Sequence, residues 1–329
     1  MRIVLKSEEV RRRFGRMFSN SILTIVDEKN AVLELIEECT AKGPVEWDLL
    51  NRLRAGGAAY AGWIEGKTLF LRAKIGKFDV NFGPADFQRG GQALESVEVT
   101  EKEVTTTWIG IAGAGLGLAA CLSQAPGVLE AEYPSKDDLE KVGGSFQNRV
   151  KIKTPKYKKL VLGIDNTDVK MKGATWASAL KVALDTSEKM GLKLISHRIF
   201  QCYPEVEWKT TNNVSSSVVF ALPWNVSSEE VLKAFVEKIK PLCYSNEACL
   251  VAYEGIEVPK ELKDFGLRVK KEIVDLEEAL ELAEKFKLDV IPITGKKGAI
   301  GALAALALYD EGIKYSAFDD DPALRRVKT

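Results

Sequence analysis

Histidine is nearly missing from this chain: among 329 residues there is one, His197. It precedes Arg198 on an expected strand, where an incidental surface or core position is a plainer reading than a general base. Cysteine is sparse and unpaired in sequence. Cys39, Cys121, Cys202, Cys243 and Cys249 include no C-x-x-C, which argues against a zinc ribbon and leaves buried reduced thiols as the ordinary reading. Net charge is missing too, since Lys+Arg and Asp+Glu both number 47, so no global electrostatic footprint for nucleic acid exists. The opening stretch MRIVLKSEEVRRRFG has no apolar signal core. The longest apolar runs, WIGIAGAGLGLAAC and AIGALAALALY, are too short or too glycine-rich to span a bilayer. A cytoplasmic protein without a membrane partner is expected.

What is present suits a globular chain of two or three domains, 46% hydrophobic and 29% charged. Residues 1–150 read as an α+β unit. NAVLELIEECTAKG and VEWDLLNRLRAGG carry helical apolar spacing, whereas KTLFLRAKIG, KFDVNFG and SVEVTEKEVTTTW favour strands and a hairpin. GIAGAGLGLAACLSQ is either a close-packed small-residue helix or a loop whose glycines let backbone N–H groups approach a phosphate. The basic segment GGSFQNRVKIKTPKYKK, residues 143–159, is the candidate domain boundary; it reads as a solvated linker, with contact to an anionic partner as the alternative. Beyond it strands and helices alternate through KLVLGID, TWASALKVALDTSEKMG, LKLISHRIFQC, SSSVVFAL, SEEVLKAFVEKIKPL, ACLVAYEG, DLEEALELAEKF, DVIPI and GAIGALAALALYDEG. That order predicts α/β or ferredoxin-like layers.

The chemistry concentrates in LVLGIDNTDVKMKGATW, residues 160–176. Asp165 and Asp168 stand where a strand gives way to a helix, the place where ligands of open α/β sheets sit. A buried carboxylate needs a partner, and two hard oxygen donors suit Mg²⁺ bridged to phosphate. The plainer alternative is an aspartate that caps the next helix. A second polar loop, YPEVEWKTTNNVSSS, residues 203–217, supplies the cation Lys209 and the neutral donors Thr210, Thr211, Asn212 and Asn213, groups a triphosphate requires. Arg198 is a further candidate for a phosphate pocket, with a structural ion pair as its alternative. FDDDP, residues 318–322, reads as a solvated turn that could hold a cation.

LGIDNTDVKMKGAT, FQCYPEVEWKTTNN and KKGAIGALAAL occur in the order of three motifs of the archaeal tRNA agmatinylcytidine synthetase family, TiaS, which this chain resembles over residues 158 to about 318. The resemblance implies an ATP-binding kinase-type region over residues 151–213 and a ferredoxin-like region over residues 214–329. It places Asp165, Thr167 and Asp168 on the family's aspartate cluster, Thr175 on its phosphoacceptor threonine and Lys209 on the lysine of its W-K-T motif. Catalytic roles for Asp165, Asp168 and Thr175 follow, with Asp165 and Asp168 as Mg²⁺ ligands. Asn166, Thr167, Gly173, Arg198, Lys209, Thr210, Asn212 and Asn213 would line the ATP site.

Departures from the family matter. Asn166 stands where the family has aspartate, Thr211-Asn212 where it has Arg-Gly, and Trp176 where it has threonine. The family's OB-fold and zinc ribbon, which grip tRNA, are not expected here, and tight tRNA binding is not expected either. The arrangement resembles a paralogue of methanogenic archaea, methanogenesis marker protein 11. The resulting expectation is an ATP- and Mg²⁺-dependent phosphotransferase or ATP-activating ligase with a different acceptor. The alternatives are a non-catalytic nucleotide-binding regulatory or assembly protein associated with methanogenesis, and an RNA-binding module.

Overall fold

A computed structural model describes residues 2–82 and 90–327. It is a mixed α/β structure whose chain divides into two compact units, Met1–Tyr157 and Lys158–Thr329. Among the described residues no helix is long and apolar enough to cross a membrane.

The first unit begins β1 (Ile3–Lys6), α1 (Ser7–Phe14), β2 (Ser19–Asp27), β3 (Val32–Cys39), α2 (Lys42–Arg54), β4 (Ala59–Glu65) and β5 (Thr68–Lys74). It continues through β6 (Gly76–Lys77), β7 (Gly91–Val99), β8 (Glu103–Ile111), α3 (Gly113–Leu116), β9 (Glu130–Tyr133) and α4 (Lys136–Glu140). Residues 147–157 of β10 (Gln147–Asp165) complete it, and residues 158–165 belong to the second unit. The strands run antiparallel in the order β4-β5-β3-β2, while β8 pairs with β7 on one side and β10 on the other.

Two sequence expectations fail here for physical reasons. NAVLELIEEC is β3, not a helix, hydrogen-bonded to β2 and β5. With both faces buried, its apolar residues lose the two-residue alternation that marks a half-exposed strand. Its carboxylates are tolerated inside because each meets an arginine: Glu34 meets Arg72 at 3.3 Å and Glu37 meets Arg52 at 2.8 Å. The basic segment does hold the division between the two units, at Tyr157–Lys158, but it is not a linker. From Gln147 onward it is strand, with Val150, Ile152 and Thr154 buried and Lys151, Lys153 and Lys156 paired to Glu132, Glu130 and Glu28. The alternation is present in R-V-K-I-K-T, hidden by the number of charges. KFDVNFG contributes only Lys77 to a strand plus an isolated Val80–Gly56 bridge, and its Gly83 lies outside the described residues. The glycine-rich run ends β8 and continues from Gly113 as close-packed helical turns; a Cβ on Gly110 of β8 would stand 2.6 Å from Gly115 Cα.

The second unit carries α5 (Thr175–Met190), β11 (Lys193–Gln201), β12 (Val214–Pro223), α6 (Ser228–Ile239) and β13 (Cys249–Glu254). After these come α7 (Lys260–Val269), α8 (Leu276–Lys285), β14 (Asp289–Pro292) and α9 (Ala299–Ala307). Its strands lie in the order β11-β12-β10-β13-β14. Successive strand residues face opposite sides. Leu160, Leu162 and Ile164 of β10 therefore join the core beneath α5 and α6, and Val161 joins the core beneath α7, α8 and α9. Gly191, in the left-handed conformation at φ 66°, ends α5.

Candidate functional site

Asp165 is the last residue of β10, on the same face as Val161 and Gly163, toward α9. The KKGAIGALAAL motif explains how a carboxylate fits there. A Cβ on Gly163 would collide with the Ala302 carbonyl, and one on Gly301 would collide with Asp165 Oδ2. A Cβ on Gly298 would come within 2.8 Å of the Asp165 carbonyl oxygen. The glycines let α9 lie against the strand end, a closeness that any larger residue prevents. Asp165 Oδ1 accepts the Asn166 N–H at 2.8 Å. Burial pushes the Asp165 carboxyl up to about 7; the Asn166 N–H opposes the shift and the nearby Asp168 charge adds to it. Asn166 takes φ 60°, a left-handed conformation that asparagine tolerates better than most residues and that turns the chain away from the sheet.

The turn delivers a compact polar hub. Thr175, the first residue of α5, is 2% exposed, and its hydroxyl donates to Asp168 Oδ1 at 2.8 Å. The same hydroxyl oxygen accepts the Thr167 N–H at 3.1 Å and the Thr167 hydroxyl at 3.1 Å. Thr210 donates to Asp168 Oδ2 at 3.0 Å. The Thr175 hydroxyl does not cap α5: Ala174 occupies the N-cap position without a side-chain bond. Gly173, at φ 87°, closes the loop against Tyr244, whose ring carbon a Cβ would approach to 2.8 Å. The Tyr244 N–H donates to the Thr167 carbonyl at 2.7 Å, and Lys172 stands 4.2 Å from the Tyr244 ring centroid.

Asp165, Asn166, Thr167, Asp168, Gly173, Thr175 and Thr210 are thus brought together. Other candidates are engaged elsewhere. Lys209 is exposed and its ammonium donates to the Pro204 carbonyl. Arg198 donates to the Gly312 carbonyl at 3.3 Å. Asn213 donates to the Tyr203 carbonyl at 2.6 Å, and the Asn212 carbonyl accepts from Gln201 at 2.9 Å. His197 Nε2 lies 3.0 Å from Ser216 Oγ, and burial holds its pKa below the usual value. The five cysteines are free, and burial raises the Cys202 thiol to about 12 and the Cys249 thiol to about 11. Sequence reasoning did not name Tyr244 or Gly301 as part of the site. The G-x-x-G spacing of Gly298 and Gly301 was the available signal for the second, whereas Tyr244 carried none.

Among the described residues no group of three or more His, Cys, Asp or Glu side chains converges to hold a metal. The donor set is two carboxylates, Asp165 and Asp168. It suits a hard cation such as Mg²⁺ that completes its shell with water and phosphate oxygens, and does not make an all-protein cage.

Residues 161–223, which contain Asp165, Asp168, Thr175 and Thr210, match the TiaS TCKD domain family. The TiaS of Pyrococcus horikoshii, a 2-agmatinylcytidine synthetase acting on an isoleucine tRNA, is 25% identical over 149 residues, 45% of this chain and 35% of that protein. Over this region the chain is TiaS-like. A match over nearly its whole length is to an uncharacterized protein of Methanocaldococcus jannaschii, 35% identical over 290 residues, 88% of this chain and 93% of that protein. The crystal structure of TiaS in complex with its isoleucine tRNA and ATP aligns with a TM-score of 0.41 at 22% identity, over 46% of this chain and 36% of that one. The chain therefore spans about a third of the length of the TiaS proteins it matches.

Proposed function

We propose that residues 158–329 bind ATP with Mg²⁺ and act as a phosphotransferase or ATP-activating ligase on an acceptor different from that of the tRNA synthetase. The observation that carries this reading is the 2.8 Å hydrogen bond from the Thr175 hydroxyl to Asp168, at the start of a helix just beyond a strand-end carboxylate. A hydroxyl that donates to a carboxylate has the geometry a nucleophile needs with its base. Asp165 and Asp168 would hold the cation, whose role is to bridge and neutralise phosphate oxygens. The Thr175 oxygen would take the γ-phosphoryl group while its proton passes to Asp168. Lys209, on an exposed loop, would exchange the Pro204 carbonyl for a phosphate oxygen, and Thr210, Asn212 and Asn213 belong to the same loop.

TiaS relatives are described with an isoleucine tRNA and ATP. With equal numbers of basic and acidic residues, this chain is proposed to bind tRNA no tighter than the non-specific range, roughly 10⁻⁴–10⁻⁶ M at physiological salt. A cytoplasmic setting goes with that reading. Mass spectrometry after incubation with Mg-ATP tests it. Phosphothreonine at position 175 or nucleotide cleavage supports the enzyme; neither, across candidate acceptors, refutes it. One observation favours a second reading, a non-catalytic nucleotide-binding protein: Thr175 is 2% exposed. ATP binding without turnover would select it.

A further inference from the structure

The hydrogen-bond directions around Thr175 support a role for a residue in the neighbouring loop. A threonine oxygen carries one proton and two lone pairs. Both lone pairs of Thr175 Oγ1 are filled, one by the Thr167 N–H and one by the Thr167 hydroxyl, each at 3.1 Å. Its own proton therefore points at Asp168 Oδ1, 2.8 Å away. The alignment of that carboxylate depends on its other oxygen, which accepts the Thr210 hydroxyl at 3.0 Å. Thr167 and Thr175 are buried, whereas Thr210 is partly exposed on the loop that joins β11 to β12.

We propose that Thr210 is a positioning residue that holds the Asp168 carboxylate in the plane where Oδ1 receives the Thr175 proton. The inference rests on the phosphotransfer reading above. In that step the Thr175 Oγ1–P bond forms and the bond from the γ-phosphorus to the β–γ bridging oxygen breaks. The electron pair leaves with the nucleoside diphosphate, and the Thr175 proton moves to Asp168. One Thr175 lone pair must be released for the attack. The Thr167 hydroxyl would give up its 3.1 Å bond by rotating its proton away while the Thr167 N–H keeps the oxygen in place. Thr210 keeps the proton acceptor from turning with it.

The test uses the full chain with Mg-ATP. Thr210→Val keeps the shape and removes the donor; Thr210→Ser keeps the donor. The expected result for Thr210→Val is that phosphorylation of Thr175 at saturating ATP, where occupancy no longer limits the rate, slows by roughly tenfold or more, a larger factor than any loss of calorimetric ATP affinity. Thr210→Ser should recover most of the rate. A second readout needs no chemistry: in nucleotide-free protein, Thr210→Val should move the Asp168 carboxyl ¹³C resonance and speed solvent exchange of the Thr175 hydroxyl proton. Wild-type rates in Thr210→Val, or an unmoved Asp168 resonance, overturn the positioning role and leave the phosphotransfer reading standing. No phosphothreonine in the wild type, with the Asp168 resonance moved by Thr210→Val, overturns the phosphotransfer reading and with it the catalytic use of an alignment that the resonance still reports.

Discussion

Replacing Asp165 with asparagine should make the protein more stable above neutral pH and leave its stability almost unchanged in acid. Burial raises the Asp165 carboxyl from 3.8 to about 7, so the folded protein holds that proton far more tightly than the unfolded chain does. A group whose folded pKa is raised contributes fully below the unfolded pKa and loses that contribution as pH climbs through the folded value. For Asp165 the loss runs from about pH 4 to pH 7 and then levels off. At 1.36 kcal/mol per pH unit the ceiling is roughly 4 kcal/mol, and solvent screening of this partly exposed residue lowers it to about 2–3 kcal/mol. Asparagine has nearly the same shape, keeps an oxygen for the Asn166 N–H and never ionises. Urea unfolding of the two proteins at pH 4.5, 6 and 8 should show a gap that opens with pH, up to about 2–3 kcal/mol or roughly 4–12 °C in Tm at pH 8. If Asp165 holds a cation, the same variant should also lose metal-dependent ATP affinity. A gap independent of pH, or a variant less stable than the wild type at pH 8, would refute the reasoning.

Gly301→Ala should displace Asp165 or α9, since the new methyl lands on Asp165 Oδ2, and cost about 1–3 kcal/mol together with ATP binding; thermal melts and calorimetry read both effects. If Asp165 and Asp168 hold a cation, ATP affinity should fall in EDTA and in Asp168→Ala, and equal affinity with and without Mg²⁺ would remove the metal from the site. In the first unit, Arg52→Met should destabilise by about 3–5 kcal/mol, because Glu37 at 2.8 Å and Asp48 at 3.3 Å lose their shared cation in a buried setting; a loss below about 1 kcal/mol in urea titrations would show that water reaches them.

Local pattern in the sequence was enough to mark the strand ending at Asp165, helix α5 with its terminal Gly191, the β7–β8 hairpin and the loop bearing Thr210. Helix α5 exposes one face, so the spacing of its apolar residues records its geometry; the strands and the loop are marked by residue type, apolar and β-branched runs against a polar one. The pairing of Asp168 with Thr175 was half legible: a seven-residue separation across a glycine-bearing turn places both near one strand end, but the direction of the hydroxyl proton depends on Thr167 and Thr210. Tertiary structure alone decided the rest. Strand β3 is covered on both faces, and the partners that neutralise Glu34 and Glu37 come from β5 and α2. The acidity of Asp165 depends on Gly301, distant in sequence, whose missing side chain admits α9 to the strand end and with it the burial that raises the pKa. Spacing along a chain encodes which face a residue takes; the dielectric around a carboxylate and the partners of a buried charge exist only once remote segments have packed against it.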